Sequence, residues 1–248
     1  MRLAGVNSIN WARVLAQIVY YFYGAFRVME KTGAEKVRFS VPTGNFGDIF
    51  AGCLAARMGL PVGRLVLATN ENDILARFFN SGDYSAGDVR ATLSPSMDIQ
   101  VASNFERYLY YRVGEDPAKL AALMKAFARD GRLPVEPLRA TSESLVAAGA
   151  ANTESTLATI RKFHNEHGYL LDPHSAVGVS VGERHLDRDE PMICLATAHP
   201  AKFPRAILEA TGKDAARHPE IDRLKDLPTR CAVLPASVDA VRDHMRKH

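Results

Sequence analysis

The chain has 248 residues, of which 47% are hydrophobic, 24% charged and 8% aromatic. This composition is typical of a globular protein and excludes a collagen-like, disordered or coiled-coil chain. The formal net charge is +3 and the charges are interspersed, so that no basic stripe indicates a nucleic-acid partner or a membrane surface.

One long helix is predicted from Ser8 to Lys31, with Ser8 or Asn10 as its cap and Gly33 after its end. Its apolar residues recur at three- and four-residue spacing. Four consecutive aromatic residues, 20–23, place rings on nearly every side of this helix, which indicates packing on more than one face. A role in the core explains these rings more simply than a ligand site.

The next segments alternate between strand and helix patterns. A strand is predicted at 37–41, a glycine loop at 42–47, a helix at 48–58, a second strand at 65–68 and a second helix at 72–80. This order predicts an α/β fold with a parallel sheet and helices on both faces. The glycine loop should then lie at the carboxyl edge of the sheet, where open α/β folds bind ligands.

The second half of the chain has a less regular beginning and then resumes the α/β pattern. The predicted elements are helices at 105–113 and 117–129, a helix capped by Asn152, a helix starting at Asp172-Pro173, a strand at 192–196 and a helix from about Pro204. Beyond Thr211 the chain is polar and rich in charge. We therefore expect residues 1–210 to form the main region and residues 211–248 to be a peripheral segment.

The segment from Pro42 to Asp48 is the strongest candidate for a binding site, because it joins a strand to a helix and contains Gly44 and Gly47. Free N–H groups of such a turn and of the first helical turn suit a phosphate. Asp48 would repel a phosphate, so we expect its carboxylate to turn away and cap its own helix. The segment is neither a Walker loop nor a GxGxxG motif. The pattern alone leaves phosphate binding and a structural tight turn both open.

A second candidate segment, 197–202, follows the strand at 192–196 and lies at the same sheet edge if the two strands are parallel. Thr197 offers a neutral hydroxyl there. Lys202 is a candidate for contact with an anionic substrate, although a solvated lysine is the simpler interpretation. His199 is expected to be structural.

Other chemistries have little support in the sequence. His164 and His167 are three residues apart, but no third metal ligand is evident, and we expect no metal site. A GxSxG pattern occurs at 178–182, but it falls inside the helix predicted from Asp172-Pro173 and not at a strand-to-helix turn, so that nothing indicates a hydrolase. Cys53, Cys194 and Cys231 are widely separated, which argues against disulfides and favours a cytoplasmic protein. No segment has the pattern of a signal peptide or a membrane span.

Five segments of this sequence resemble threonine synthases, which depend on pyridoxal 5′-phosphate (PLP) and have the tryptophan-synthase-β-like fold, also called fold type II. The segments are residues 6–13, 41–48, 96–101 with 103–107, 171–178 and 197–203. The resemblance implies an open, mostly parallel sheet with helices on both faces, present here as an incomplete, carboxy-terminal part of the PLP-binding catalytic region.

The resemblance also implies roles for individual residues. The loop that holds the cofactor phosphate would consist of Gly44, Asn45, Phe46, Gly47 and Asp48. Thr197 would face the pyridine nitrogen, where a hydroxyl in place of an acid leaves the nitrogen less protonated and moderates the electron-sink strength of the ring. Asn104 and Lys202 are weaker candidates for substrate contacts. The implied reaction converts O-phosphohomoserine and water to threonine and phosphate.

Two features of the resembled family are absent from this sequence: the Ser/Phe-rich Lys-Asp segment that carries the cofactor lysine, and a Ser-Gly-Asp-Thr-Gly loop. No lysine here falls at the family's Schiff-base position, so no catalytic residue is expected in this chain. We expect it to be inactive alone, to need a lysine-bearing amino-terminal half in cis or in trans, and to expose apolar surface on the helix at 8–31. The alternative is a non-catalytic module that binds phosphate, PLP or a partner.

Overall fold

A computed structural model describes residues 5, 7–134, 145–224 and 226–247. The chain divides into two compact units, Met1–Ala216 and Arg217–His248. The described part of the second unit has two helices, α9 (Pro219–Leu224) and α10 (Val238–Lys247). The first unit contains the sheet and the remaining helices, and every candidate site residue lies in it.

The first unit has a four-stranded sheet. Its strands are β1 (Val37–Pro42), β2 (Val62–Thr69), β3 (Val146–Ala150) and β4 (Met192–Cys194), and their spatial order is β3-β2-β1-β4. All three pairings are parallel, with Phe39 opposite both Leu65 and Ile193. The predicted parallel sheet is therefore confirmed, whereas β3 was not predicted.

The described residues of the first unit form eight α-helices besides this sheet. They are α1 (Trp11–Thr32), α2 (Gly47–Arg57), α3 (Ile74–Ser81), α4 (Phe105–Arg112), α5 (Pro117–Asp130), α6 (Thr153–His167), α7 (Pro173–Gly182) and α8 (Pro204–Thr211). The predicted caps are confirmed at Asn10 and Asn152, whose side chains accept from the backbone N–H groups of Ala12 and Ser155. Among the described residues, none of the helices combines the length and hydropathy needed to cross a bilayer.

Successive residues of β2 pack on opposite faces of the sheet. Leu65 and Leu67 belong to the large core that includes α1 and α2, whereas Val66 and Ala68 pack with α7. Because side chains alternate along a strand, this division shows that helices cover both faces, as predicted.

Helix α7 is buried along its whole length and lies close against the sheet. A Cβ atom on Gly178 would lie 2.8 Å from Cγ of Pro42, so that only glycine permits this approach. The Ser40 hydroxyl donates to the carbonyl of Gly178 in the same contact. This packing places the first turn of α7 beside the loop that follows β1.

Candidate functional site

A cavity of about 290 Å³ lies where β1 and β4 end. The loop after β1, the start of α1, the first turn of α7 and the segment after β4 all contribute to its wall. The lining residues that matter below are Arg13, Gln17, Gly44, Asn45, Phe46, Gly47, Asp48, Ser96, His174, Thr197, Lys202 and Phe203. Because β1 and β4 are parallel neighbours, the prediction that residues 42–48 and 197–202 share one edge of the sheet is confirmed.

Phe46 anchors the glycine loop. Its φ angle of 64° is left-handed, which is uncommon for a residue with a large side chain. Its ring is buried and stacks on Phe79 at 6.1 Å, with Phe105 at 5.2 Å and Tyr108 at 5.4 Å between ring centroids. Burial of the ring thus stabilises a tight backbone turn directly before α2, whose first N–H groups have no partner within the helix.

Gly44 lies against the backbone of a distant segment. A Cβ atom at this position would lie 2.5 Å from the carbonyl oxygen of Ser96 and 3.4 Å from Cα of Met97. Distances below 3.0 Å to a backbone atom require the backbone to move. The glycine therefore sets the separation between the two segments that form this side of the cavity.

Asp48 does not cap its own helix, so that part of the prediction is wrong. Its carboxylate Oδ1 accepts from the Tyr20 hydroxyl at 2.6 Å and from the Tyr21 hydroxyl at 3.0 Å, both from α1. Burial raises the pKa of Asp48 to about 6, although the two tyrosine hydrogen bonds act in the opposite direction. Phe46 occupies the N-cap position of α2, so Asp48 lies inside the first turn and its carboxylate faces α1.

The segment after β4 contributes Thr197 and Lys202. The backbone N–H of Thr197 donates to Oγ of Ser175 at 3.2 Å. Lys202 is exposed at the end of a short 3-10 helix, and its contact with substrate remains a prediction. His199 Nδ1 accepts from the N–H of Ala201 at 3.2 Å, which supports its expected structural role.

Asn104 lies behind the glycine loop and does not line the cavity. Its side chain is buried and donates to the carbonyls of Ser8 at 2.9 Å and Asn45 at 3.1 Å. Its Oδ1 accepts from Arg107 at 2.6 Å. In the structure this side chain holds the loop from behind, and the predicted substrate contact remains untested.

Sequence reasoning assigned no role to His174 or Ser96, although both line the cavity. The imidazole is buried, lies 4.8 Å from the Phe203 ring and accepts from the backbone N–H of Ser96 through Nε2 at 3.3 Å. The one local signal was the Asp172-Pro173 helix start, whose cap is confirmed by bonds from the N–H groups of His174 and Ser175. That signal indicates a cap but does not reveal which distant segment the imidazole meets.

The lining favours an anion. Among the described lining residues, Arg13 and Lys202 are cationic, and the carboxylate of the acidic residue Asp48 accepts from two tyrosine hydroxyls. Within the described ranges, no three His, Cys, Asp or Glu side chains are grouped to hold a metal ion, and His164 and His167 lie in the last turn of α6.

The fold and the site define a class: an α/β protein with an open parallel sheet and a glycine loop at its carboxyl edge, the place where such folds bind ligands. The family model "Threonine synthase, C-terminal" matches residues 175–245. Threonine synthase of Pseudomonas aeruginosa is 46% identical over 100% of this chain and 53% of its own length. Threonine synthase of Schizosaccharomyces pombe is 43% identical over 98% of this chain and 51% of its own length.

Solved structures agree with these matches. A PLP-bound threonine synthase from Brucella melitensis superposes with a TM-score of 0.89 at 44% identity, covering 99% of this chain and 53% of that one. Threonine synthase from yeast superposes with a TM-score of 0.84 at 38% identity, covering 98% of this chain and 53% of that one. The chain is thus related to the carboxy-terminal part of the threonine synthases, and it spans about half the length of each of these relatives.

Proposed function

We propose that this chain forms the carboxy-terminal part of a PLP-dependent threonine synthase, which converts O-phosphohomoserine and water to threonine and phosphate. One observation carries the proposal: the cavity joins the 44–48 loop and Thr197, which lie far apart in the sequence, within a fold that superposes on a PLP-bound threonine synthase. Both cavity segments were expected to bind the same cofactor.

The residues of the cavity fit PLP. The loop from Gly44 to Asp48 would hold the phosphate with unpaired N–H groups at the start of α2, and Arg13 adds positive charge nearby. Thr197 would present a hydroxyl to the ring nitrogen. When bound, PLP supplies an electron sink for carbanions of the amino-acid substrate. The chain itself binds the phosphate, orients the ring and keeps a neutral group at the nitrogen.

We further propose that a lysine-bearing amino-terminal half completes the site, either in the same translation product or as a separate chain. An exposed apolar surface on α1 supports this. Its residues, here called the α1 outer face, are Leu15, Val19, Tyr23 and Phe26, and each is more than half exposed. Exposed apolar patches of this kind mark interaction sites. The cytoplasm is the proposed compartment, on the evidence of the unpaired cysteines.

A reconstitution assay tests the proposal. The chain is incubated with PLP and O-phosphohomoserine, alone and with the amino-terminal half of the Pseudomonas aeruginosa relative, and the release of phosphate and threonine is measured. We expect no turnover by either part and turnover by the pair. A pair that associates and binds PLP but releases no phosphate would contradict the proposal and favour the non-catalytic module.

Gly44→Ala gives a sharper test of the phosphate loop. Its Cβ would collide with the carbonyl of Ser96, so the loop must move, and we expect the PLP affinity to fall at least about tenfold, or about 1.4 kcal/mol. PLP binding is measured by absorbance titration. The matched control is Gly87→Ala, because a Cβ there meets its nearest atom at 3.9 Å. Equal affinities in the two variants would argue against phosphate binding by this loop.

A further inference from the structure

We propose that Asp172 is a positioning residue that fixes two walls of the cavity at once, one through His174 and the other through Ser175. The inference rests on the proposed function, because it concerns the same cavity. Asp172, His174 and Ser175 form a buried cluster that is separate from both the proposed phosphate loop and Thr197.

Asp172 is the cap of α7 and is almost fully buried. Its carboxylate accepts from the backbone N–H groups of His174 at 2.9 Å and Ser175 at 3.4 Å. An ordinary cap needs no more than these bonds. Here the side chains of the same two residues also bond to the carboxylate, one to each oxygen.

The first arm runs from Asp172 through His174 to Ser96. Nδ1 of His174 lies 3.0 Å from Oδ1 of Asp172, and Nε2 lies 3.3 Å from the backbone nitrogen of Ser96. A backbone N–H can only donate, so Nε2 is the acceptor and Nδ1 carries the proton that bonds to Asp172. The carbonyl of Ser96 is the atom against which Gly44 packs. This arm therefore sets the wall behind the proposed phosphate loop.

The second arm runs from Asp172 through Ser175 to Thr197. The Ser175 hydroxyl donates its proton to Oδ2 of Asp172, which leaves its oxygen to accept from the backbone N–H of Thr197 at 3.2 Å. The residue proposed to face the pyridine nitrogen is thus held by the same carboxylate as Ser96. Three segments distant in sequence meet at one buried group.

The state of the carboxylate suits this role. Burial by itself would raise the pKa of Asp172, but the hydrogen bonds from His174 and Ser175 hold it below its ordinary value. An ionised carboxylate accepts from all of these donors, whereas a protonated one would have to donate from one oxygen.

The first experiment measures backbone amide chemical shifts by NMR in the 248-residue chain. We expect Ser175→Ala to shift the Thr197 amide and leave Ser96 unchanged, His174→Phe to shift Ser96 and leave Thr197 unchanged, and Asp172→Asn to shift both. An asparagine can still cap the helix but cannot accept through its nitrogen. Ser180→Ala, on the same helix and outside the cavity lining, is the control.

The second experiment measures PLP binding by the same variants. We expect Asp172→Asn to weaken PLP binding about tenfold, each single-arm variant to weaken it less, and Ser175→Thr, which keeps a hydroxyl, to retain most of the affinity. A shift of only one amide in Asp172→Asn, or unchanged PLP affinity in that variant, would overturn the inference. If Asp172→Asn does not fold, the single-arm variants decide the inference: Ser175→Ala must shift only the Thr197 amide and His174→Phe only the Ser96 amide.

The two experiments separate this inference from the proposed function. Absence of PLP binding by the unaltered chain, both alone and with the amino-terminal half, counts against the proposed function. The amide shifts still establish or refute the two arms in that case, because they need no ligand.

Discussion

The environment of the Asp48 carboxylate is set by α1, a helix that is remote from it in sequence. Two hydroxyls of α1 hold it, and its pKa is raised by burial to about 6. The caps at Asn10, Asn152 and Asp172 were predictable, because a cap bonds to amides two or three residues away. The partners of Asp48 lie 27 and 28 positions away, and a local pattern carries no information about them.

The raised pKa of Asp48 predicts a pH dependence of stability. In the unfolded chain the pKa is near 3.8, so between about pH 4 and about pH 6 the folded state binds more protons. This residue therefore lowers the free energy of unfolding as the pH rises through that window. Relative to the unaltered chain, Asp48→Asn should gain stability from pH 4 to pH 6.

Urea denaturation at a series of pH values measures this difference in the free energy of unfolding. Asp88→Asn, at an exposed position, serves as the control for the loss of one carboxylate. A pH-independent difference between Asp48→Asn and the unaltered chain would refute the assignment.

At the level of elements, the strands differ in how strongly the sequence predicts them. β1 and β2 contain alternating or β-branched residues and were predicted. β3 consists of Val146 followed by alanines and Gly149, which is a weak strand pattern. A Cβ on Gly149 would lie 2.8 Å from Cγ1 of Val181, so the close approach of α7 favours a glycine at this position. This packing of α7 on β3 cannot be read from the sequence alone, and β3 was therefore missed.

The close approach of α7 also predicts the effect of Gly178→Ala. The added methyl would lie 2.8 Å from Pro42, and overpacking of this kind costs about 1–3 kcal/mol. Urea denaturation should show a lower midpoint with an unchanged slope. The control is Gly24→Ala in α1, where the nearest atom is 3.9 Å away and alanine favours the helix, so stability should rise. Similar midpoints for the two variants would contradict the packing argument.

At the scale of the whole molecule, the α1 outer face is an apolar surface at the side of the first unit. The sequence predicted both the long helix and its unusual aromatic content. It also predicted exposed apolar surface there, which the structure confirms for Leu15, Val19, Tyr23 and Phe26. What covers this surface is a proposal, because the chain spans about half of each relative.

Leu15→Asp should weaken association with the amino-terminal half of a relative, since a charge would be buried at the proposed interface. The stability of the chain alone should change little, because Leu15 is exposed. Leu208→Asp on α8, at a leucine of similar exposure, is the matched control. Analytical ultracentrifugation or titration calorimetry measures the association, and equal affinities for the two variants would exclude the α1 outer face from the interface.

The pairing of β4 with β1 has a consequence for the order in which the parts of the fold form. Arg38 in β1 forms an ion pair with Glu190 across 152 positions, and Leu195 donates to the carbonyl of Ser40. Pairing of strands that are distant in sequence is slow, because closing the long loop between them costs chain entropy. During synthesis, β4 is also translated long after β1 and β2. The loop at 42–48 should therefore form before the opposite wall of the cavity, which follows β4. Pulsed hydrogen exchange during refolding should protect the Thr43 amide, which bonds to Ala68, earlier than that of Leu195.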